Sequence, residues 1–273
     1  MTICEMTMTA ETLREHLKNK PYLQLPFPVN NVSLDKAITS YFKFLELPDE
    51  VKSYINIKIS PLHRRGDIGF AHREPSDGIY NDSKDFFHFH PKIFDEYKNF
   101  LKDQPIICDF LNNAMPIWQT THDISYQILQ LFEKDFPGTI AKIFDTKDIH
   151  IIVRFLKYNW SHSGKYLAKP HFDAGSFTLA IAESCPGLRI GKGPDDLQAI
   201  DHEDGKAVFF VSSNFKKIID TDDLSPGWHD VIQLDETQLG KPFARWAIVA
   251  FIEGHNVESL PRSETHKWYD GQY

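Results

Sequence analysis

The sequence predicts an α+β chain, with a mostly helical first half packed on an all-β second half. Three observations carry this reading. Apolar residues recur at helical spacing up to about Gly138. Beyond it come short, strand-length apolar runs separated by polar or Gly/Pro turns. No linker-like stretch divides the two halves, and 273 residues suit one domain. The expected division is a single domain over 1–273: about 1–145 mostly helical, about 146–255 a β core, and 256–273 a C-terminal tail.

The elements follow in order. "TAETLREHLKNK" reads as a helix capped by Thr9, with a basic end that suits the helix dipole. "YLQLPF" is a short strand interrupted by Pro26. "SLDKAITSYFKFLELPDEVKSYI" predicts a helix opened by Ser33, a stop near Pro48 and a second short helix. Residues 58–82, with scattered Gly, Pro, Asp and Ser, read as loop. The strongest helical pattern is "ICDFLNNAMPIWQTTHDISYQILQLFEKDF", where Ile124, Ile128, Leu131 and Phe132 share a face and Pro116 predicts a kink or restart. "DIHIIVRFLKYNW", "SFTLAIA", "GLRIG", "LQAI", "AVFFV", "HDVIQL" and "RWAIVAFI" are strand candidates, and strands at this spacing suggest a sandwich or barrel.

Composition excludes several classes. The net charge of −8 and the lack of a basic run argue against a nucleic-acid or anionic-membrane partner. The longest apolar runs fall far short of the ~20 residues that span a bilayer. The N-terminus lacks the pattern of a signal peptide. Cys4, Cys108 and Cys185 are odd in number with no Cys-x-x-Cys spacing, which reads as reduced thiols in a cytoplasm.

The chemistry concentrates at His171-Phe172-Asp173, in "KPHFDAGSFTLAIA". In a strand, residues i and i+2 share a face, so His171 and Asp173 are expected side by side. His229, 56 positions after Asp173, would complete a 2-His-1-carboxylate set, which holds Fe(II) on three corners and leaves three open. His255, in the turn-like "EGHN", is the competitor for the distal position. A second His-x-Asp, His202-Glu203-Asp204, lies in a stretch that reads as a solvated turn. His88 and His90 form an i, i+2 pair with no carboxylate or cysteine pattern around them.

Taken together, these segments resemble the iron- and 2-oxoglutarate-dependent dioxygenases, in particular the isopenicillin N synthase-like branch. "HFDAGSFTL", "VRFLKYNWS", "GLRIG", "GWHDVIQL" and "RWAIVAF" are similar to family segments in the second half. "FKFLELPDEVKSYI" and "KDFFHFHPK" are similar in the first, so the resemblance spans roughly residues 20–252. It implies a double-stranded β-helix (jelly-roll) core with flanking N-terminal helices and a metal at one open end. It also implies that His171, Asp173 and His229 bind Fe(II), that Arg245 holds the distal carboxylate of 2-oxoglutarate, and that Tyr158 adds a hydrogen bond there. The implied activity is oxidation of a small-molecule substrate by O2, by hydroxylation, desaturation or ring closure, with release of succinate and CO2. Ascorbate is a possible reductant.

The chain departs from the family pattern in three places. Arg245 follows His229 by 16 positions, longer than usual, and the excess fits a loop in "DETQLGKP". The usual Ser two residues after the Arg is Ala247, which has no hydroxyl. The usual polar residue of the Gly-Leu-x-Val segment is Arg189, a candidate anchor for an anionic substrate group. Arg154 is expected to be a structural charge-pair or support residue. The tail is expected to frame the pocket, with Trp268 and Tyr269 either capping it or packing. Two alternatives stay open: an Fe(II) oxidase of the same fold that uses O2 without 2-oxoglutarate, and a non-enzymatic jelly-roll binding module.

Overall fold

The computed structural model describes residues 8–62, 67–75, 80, 82–160, 166–233 and 241–269. Its N-terminal elements are α1 (Ala10–Asn19), β1 (Leu23–Pro26), α2 (Asn31–Leu45), α3 (Asp49–Lys52), β2 (Asn56–Lys58), β3 (Asp67–Arg73) and β4 (Lys84–Phe89). Three helices follow, α4 (Lys92–Glu96), α5 (Lys98–Leu101) and α6 (Pro105–Glu133), then the single turn α7 (Ala141–Phe144). The second half contains β5 (Ile151–Tyr158), β6 (Tyr166–His171), β7 (Phe177–Glu183), β8 (Leu188–Gly191), β9 (Gln198–Ala199), β10 (Lys206–Val211), β11 (Trp228–Ile232) and β12 (Arg245–Ile252), and the short α8 (Arg262–Thr265) closes the described chain.

The strands form two antiparallel sheets. The larger runs β1-β10-β7-β12-β5-β4-β3-β2 and the smaller β6-β11-β8-β9. This is the jelly-roll arrangement. Alternation along each strand sorts its side chains between two environments. On β5, Ile151, Val153 and Phe155 join the core that α2 and α6 cover, while Leu156 and Tyr158 face the space between the sheets. β12 does the same, with Ile248, Ala250 and Ile252 toward the helices and Ala247 inward. The helical layer is therefore the lid of the large sheet's outer face, and the inner face is left for a site.

Several expectations need correction. Residues 58–82 are not all loop, because β3 lies within them and pairs with β4, which pairs with β5. The first half thus supplies β1 through β4 to the larger sheet; short strands such as Asn56–Lys58 carry too few residues for a period to show. The second helix starts earlier than expected, because the Asn30 side chain, not Ser33, caps it by accepting from the Ser33 N–H at 2.9 Å. Thr9 caps α1 as expected. Pro116 does not break α6, which runs 29 residues through it. Pro116 and Asn112 both lie on the exposed face, so the carbonyl the proline leaves without an N–H partner is on the solvent side. The loop expected in "DETQLGKP" falls almost wholly outside the described residues, as does Cys4.

The helix-to-sheet seam is aromatic. Phe110 of α6, with none of its surface exposed, meets Phe87 and Phe155 edge-on at 5.1 and 5.0 Å and Tyr41 at 5.4 Å. Phe110→Ala is expected to lower stability by about 3–5 kcal/mol, the range for emptying a buried aromatic site, read from the urea midpoint at unchanged slope. A loss under 1 kcal/mol would mean that the seam collapses to refill the space.

Candidate metal centre

His171 ends β6, and Asp173 lies two residues on, in the turn that leads to β7. The pair therefore does not share one strand face as expected. The turn brings the groups together instead, and it is pinned from both sides. Ser213 N–H donates to the Asp173 carbonyl at 3.0 Å, Asn214 N–H to the Gly175 carbonyl at 2.9 Å, and Phe172 N–H to the Thr265 carbonyl at 2.7 Å. His229 arrives on β11, whose register sets it directly opposite His171.

Asp173 presents one carboxylate oxygen 3.5 Å from His171 Nε2 and the other 3.6 Å from His229 Nε2. The three ligand atoms lie within 4.8 Å of one another, and this is the only such group of His, Cys, Asp or Glu side chains found among the described residues. Both rings are oriented alike. His171 Nδ1 sits 2.6 Å from the Lys169 carbonyl and His229 Nδ1 3.0 Å from the Gly227 carbonyl. A carbonyl only accepts, so each Nδ1 carries the proton and each Nε2 lone pair faces the centre, as metal-ligating imidazoles require. Thr178 donates its hydroxyl to Asp173 at 2.8 Å, which aims the carboxylate. Two neutral nitrogens and one carboxylate fit Fe(II) and leave room for further ligands.

The three side chains line a cavity of about 550 Å³ between the sheets. Arg245 and Tyr158 line it too, directly opposite each other in the β12–β5 register, followed by Lys84 on β4. The guanidinium of Arg245, 2% exposed, donates through Nε to the Cys185 carbonyl at 2.9 Å and through its terminal nitrogen to the Glu183 carboxylate. Glu183 stands across β7 from Ala247, where the family Ser would project. A carboxylate therefore already rests on Arg245, which shows that this buried cation accepts one, and also that a bound diacid would meet a competitor. The Tyr158 ring lies between two cations, with Arg245 at 5.7 Å and Lys84 at 5.4 Å from its centroid.

Lys84 pairs with Asp82, which also takes Arg73. Burial pulls the Lys84 ammonium down to about 8 despite the pull of Asp82 in the other direction. Asp82 is held well below the usual carboxylate range by the two cations, against its own burial. The folded chain thus releases the Lys84 proton near pH 8, while the unfolded chain keeps it until about 10.4. Unfolding takes up a proton across that window, so the Lys84 contribution makes stability rise with pH from about 8 to 10. A comparison of urea midpoints for wild type and Lys84→Met over that range is expected to show a rise that only the wild type has. Parallel curves would place the proton elsewhere.

The remaining sequence candidates sit elsewhere. Arg189, expected as a substrate anchor, does not line the cavity. It makes a two-pronged pair with buried Asp230 at 2.9 and 2.6 Å, on the β8 face opposite Leu188, which does. His255 lies in a turn and outside the ligand group. His90 donates to the Ile149 carbonyl and accepts from the Lys92 N–H, and His88 donates to the Asp67 carbonyl and accepts from Arg154 Nε, so both ring nitrogens of each are taken within the protein. His202 lies just before the turn at Asp204 and Gly205, half-buried with Nδ1 3.9 Å from Glu183 and therefore less solvated than expected. From the tail, Arg262 and His266 line the cavity, and His266 stacks on His171 with centroids 5.4 Å apart. Trp268 and Tyr269 pack outside it, Trp268 against Phe172 and Trp228. Glu183, Thr178 and Lys84 are the groups the sequence does not mark, since their importance comes from partners on other strands. Arg154, expected as a structural charge-pair or support residue, donates to His88 and lines the cavity on the same strand face as Tyr158.

No family model matches the chain, and no curated protein does. Solved structures do. The Neurospora crassa protein T7H, in complex with alpha-KG, superposes with a TM-score of 0.62 at 17% identity, over 96% of this chain and 86% of that one. The auxin-oxidising dioxygenase 1 of Arabidopsis thaliana, with 2-oxoglutarate, gives 0.63 at 16% identity over 96% and 93%. A Caulobacter crescentus protein assigned to the 2OG-Fe(II) oxygenase family gives 0.63 at 16% over 96% and 87%. At these identities the likeness establishes the fold. The chain has the fold of the 2OG-Fe(II) oxygenases.

Proposed function

We propose that this protein is an Fe(II)- and 2-oxoglutarate-dependent oxygenase that oxidises a small molecule, with His171, Asp173 and His229 as the metal ligands and Arg245 and Tyr158 as the co-substrate contacts. The observation that carries the reading is convergence: the three ligand atoms and a buried arginine line one cavity. The neighbours' bound 2-oxoglutarate adds support. A bound ferrous ion with 2-oxoglutarate and O2 supplies the oxidising power, so that, for hydroxylation, R–H, 2-oxoglutarate and O2 become R–OH, succinate and CO2.

The chain's own residues do the rest. The Lys169 and Gly227 carbonyls hold the two imidazoles with their lone pairs inward. Thr178 holds the carboxylate. Arg245 offers a fixed fork for the distal carboxylate, with the Tyr158 hydroxyl beside it. The apolar inner faces of β5, β12 and β10 exclude water from the reacting centre. The same reading takes the chain as one domain, since a single core cluster joins Leu13 and Leu17 of α1 to Ile252 of β12. It also takes the compartment as cytoplasmic, in keeping with free Cys108 and Cys185. Among the described residues no helix is long and apolar enough to cross a membrane.

One observation favours a second reading. Glu183 occupies Arg245, which suits an iron oxidase that uses O2 without 2-oxoglutarate. Anaerobic titration with Fe(II) and then 2-oxoglutarate separates the two. Keto-acid chelation at open positions is expected to produce a weak visible charge-transfer band near ~500 nm. Iron binding without the band supports the second reading, and absence of iron binding removes both.

A further inference from the structure

The second His-x-Asp of the sequence lies against the co-substrate anchor. Glu183 stands between two partners. One carboxylate oxygen takes the Arg245 guanidinium, and the other faces His202 Nδ1 at 3.9 Å. Glu183 and Arg245 line the cavity, while His202 is not part of its lining and so lies behind Glu183. The glutamate and histidine side chains are each only 10% exposed.

Hydrogen bonding fixes the histidine tautomer. Its Nε2 sits 2.7 Å from the Lys206 carbonyl, which only accepts, so Nε2 carries a hydrogen. Nδ1 of the neutral ring is then a bare lone pair aimed at a carboxylate oxygen. Two acceptors that face each other leave a place for a proton. The gap is roughly 1 Å longer than a charge-assisted hydrogen bond, so a small turn of the Glu183 side chain closes it.

Charge supplies the reason to turn. Arg245 has a second tether, the Cys185 carbonyl, that does not depend on Glu183. A ligand carboxylate on Arg245 would put two carboxylates on one buried guanidinium, and like charges that close disfavour each other's ionised form. The displaced Glu183 has almost no solvent to turn to, and a buried carboxylate without a cation is costly. The other titratable groups around the pair offer no substitute. Tyr158, on β5, stays a hydroxyl because burial pushes its phenol up. The Cys185 thiol is directed to the Ala244 carbonyl. Lys206 is held by Glu203 at 2.6 Å, and Asp201 and Asp204 beside His202 are exposed. Lys84, against the Tyr158 ring, is held by Asp82.

We infer that His202 is the seat that receives Glu183 when the co-substrate's distal carboxylate takes Arg245, so that binding of the diacid draws a proton from solvent onto the Glu183–His202 pair. Before binding, Arg245 holds Glu183 and His202 is neutral. Afterwards Arg245 holds the ligand carboxylate and Glu183 holds an imidazolium, so the added negative charge is matched by the added proton. The inference rests on the oxygenase reading for the identity of the diacid.

Calorimetry in buffers of low and high ionisation heat reads the proton, since the apparent heat then shifts with the buffer in proportion to proton uptake. The probes are 2-oxoglutarate and 2-oxopentanoate, a keto acid of the same length without the distal carboxylate, on anaerobic Fe(II) protein across about pH 6 to 8. Uptake is expected with 2-oxoglutarate and not with 2-oxopentanoate, while both produce the ~500 nm band. His202→Gln keeps a donor for the Lys206 carbonyl but cannot take a charge. It is expected to lose the uptake and to narrow the preference for 2-oxoglutarate over 2-oxopentanoate about tenfold, with Fe(II) binding unchanged. Glu183→Gln removes the carboxylate that needs a seat, so the uptake is expected to vanish there too. Thermal unfolding checks that each variant is folded, and either one alone keeps the test informative.

A band with 2-oxoglutarate but no proton uptake, equal uptake with both keto acids, or uptake that survives in His202→Gln overturns the inference and leaves the oxygenase reading standing. Succinate on metal-free protein separates the two the other way. Proton-linked succinate binding that needs His202, with no band for either keto acid in the iron form, overturns the oxygenase reading and leaves the proton-linked seat standing. If no diacid binds, Arg245 holds no ligand carboxylate and both fall.

Discussion

Asp173→Ala is expected to abolish stoichiometric Fe(II) binding, and His229→Ala to weaken it by more than ~100-fold, since even losing a partner that only orients a metal ligand costs about 10–100-fold. Asp173 is the hub of the site. Its two oxygens face the two imidazoles at 3.5 and 3.6 Å, and it is the only anion in that group. Without it, two neutral nitrogens remain, which cannot offset the charge of a divalent ion in a buried place. Asp173→Asn separates charge from shape. It keeps the size of the side chain and an oxygen that can accept from Thr178, yet it is expected to lose most of the affinity. Anaerobic equilibrium dialysis with Fe(II) reads all three variants. Stoichiometric binding by Asp173→Asn would mean that the metal is held elsewhere, and the assigned centre would fall with it.

Arg245→Ala and Glu183→Gln are expected to move 2-oxoglutarate affinity in opposite directions. Arg245 is buried, and its carboxylate partner sits on a side chain only 10% exposed. Removing the arginine takes away the anchor and leaves Glu183 uncompensated. Affinity is expected to fall at least ~100-fold, consistent with losing two charge-assisted hydrogen bonds, and stability by about 3–5 kcal/mol. Glu183→Gln removes the competing charge but keeps a hydrogen-bonding amide. Affinity is then expected to rise about tenfold, the worth of one such bond. Titration of the visible band gives both affinities, and urea unfolding gives the stability. If Glu183→Gln weakens 2-oxoglutarate binding instead, Glu183 serves to hold Arg245 in place for the ligand. If the substitution leaves the affinity unchanged, the diacid does not reach Arg245.

The site was legible where its chemistry is carried by adjacent or patterned residues. His171 and Asp173 stand two apart, and the apolar run after them marks the β7 they lead into. Arg245 heads a strand so apolar that a charge there calls for a partner. The expected geometry was nevertheless wrong in one respect, because the two ligands meet across a strand end and a turn. That turn is held by Ser213, Asn214 and Thr265, which are 39 or more positions away in sequence. Arg189 failed as an anchor for a similar reason. Its partner Asp230 comes from β11, and no local pattern announces a pairing between strands so far apart. The strand β2, three residues long, and the strand β3, with Gly69 inside it, did not stand out from the loop-like stretches around them.

The sequence by itself determined seven of the second half's strands in order, all but β6, the residue types of the candidate ligands and their chain order, and the single inward-facing period that puts Arg154, Leu156 and Tyr158 on one face. Those are consequences of local spacing, since alternation and 3.6-residue periodicity act within one element. Only the tertiary structure decided which cations meet which acids: Arg245 with Glu183, Lys84 and Arg73 with Asp82, Arg189 with Asp230. These pairings depend on register between strands that come from distant parts of the chain. A one-residue slip would turn every side chain of a strand to the other face, so which charges meet is a property of the assembled sheets.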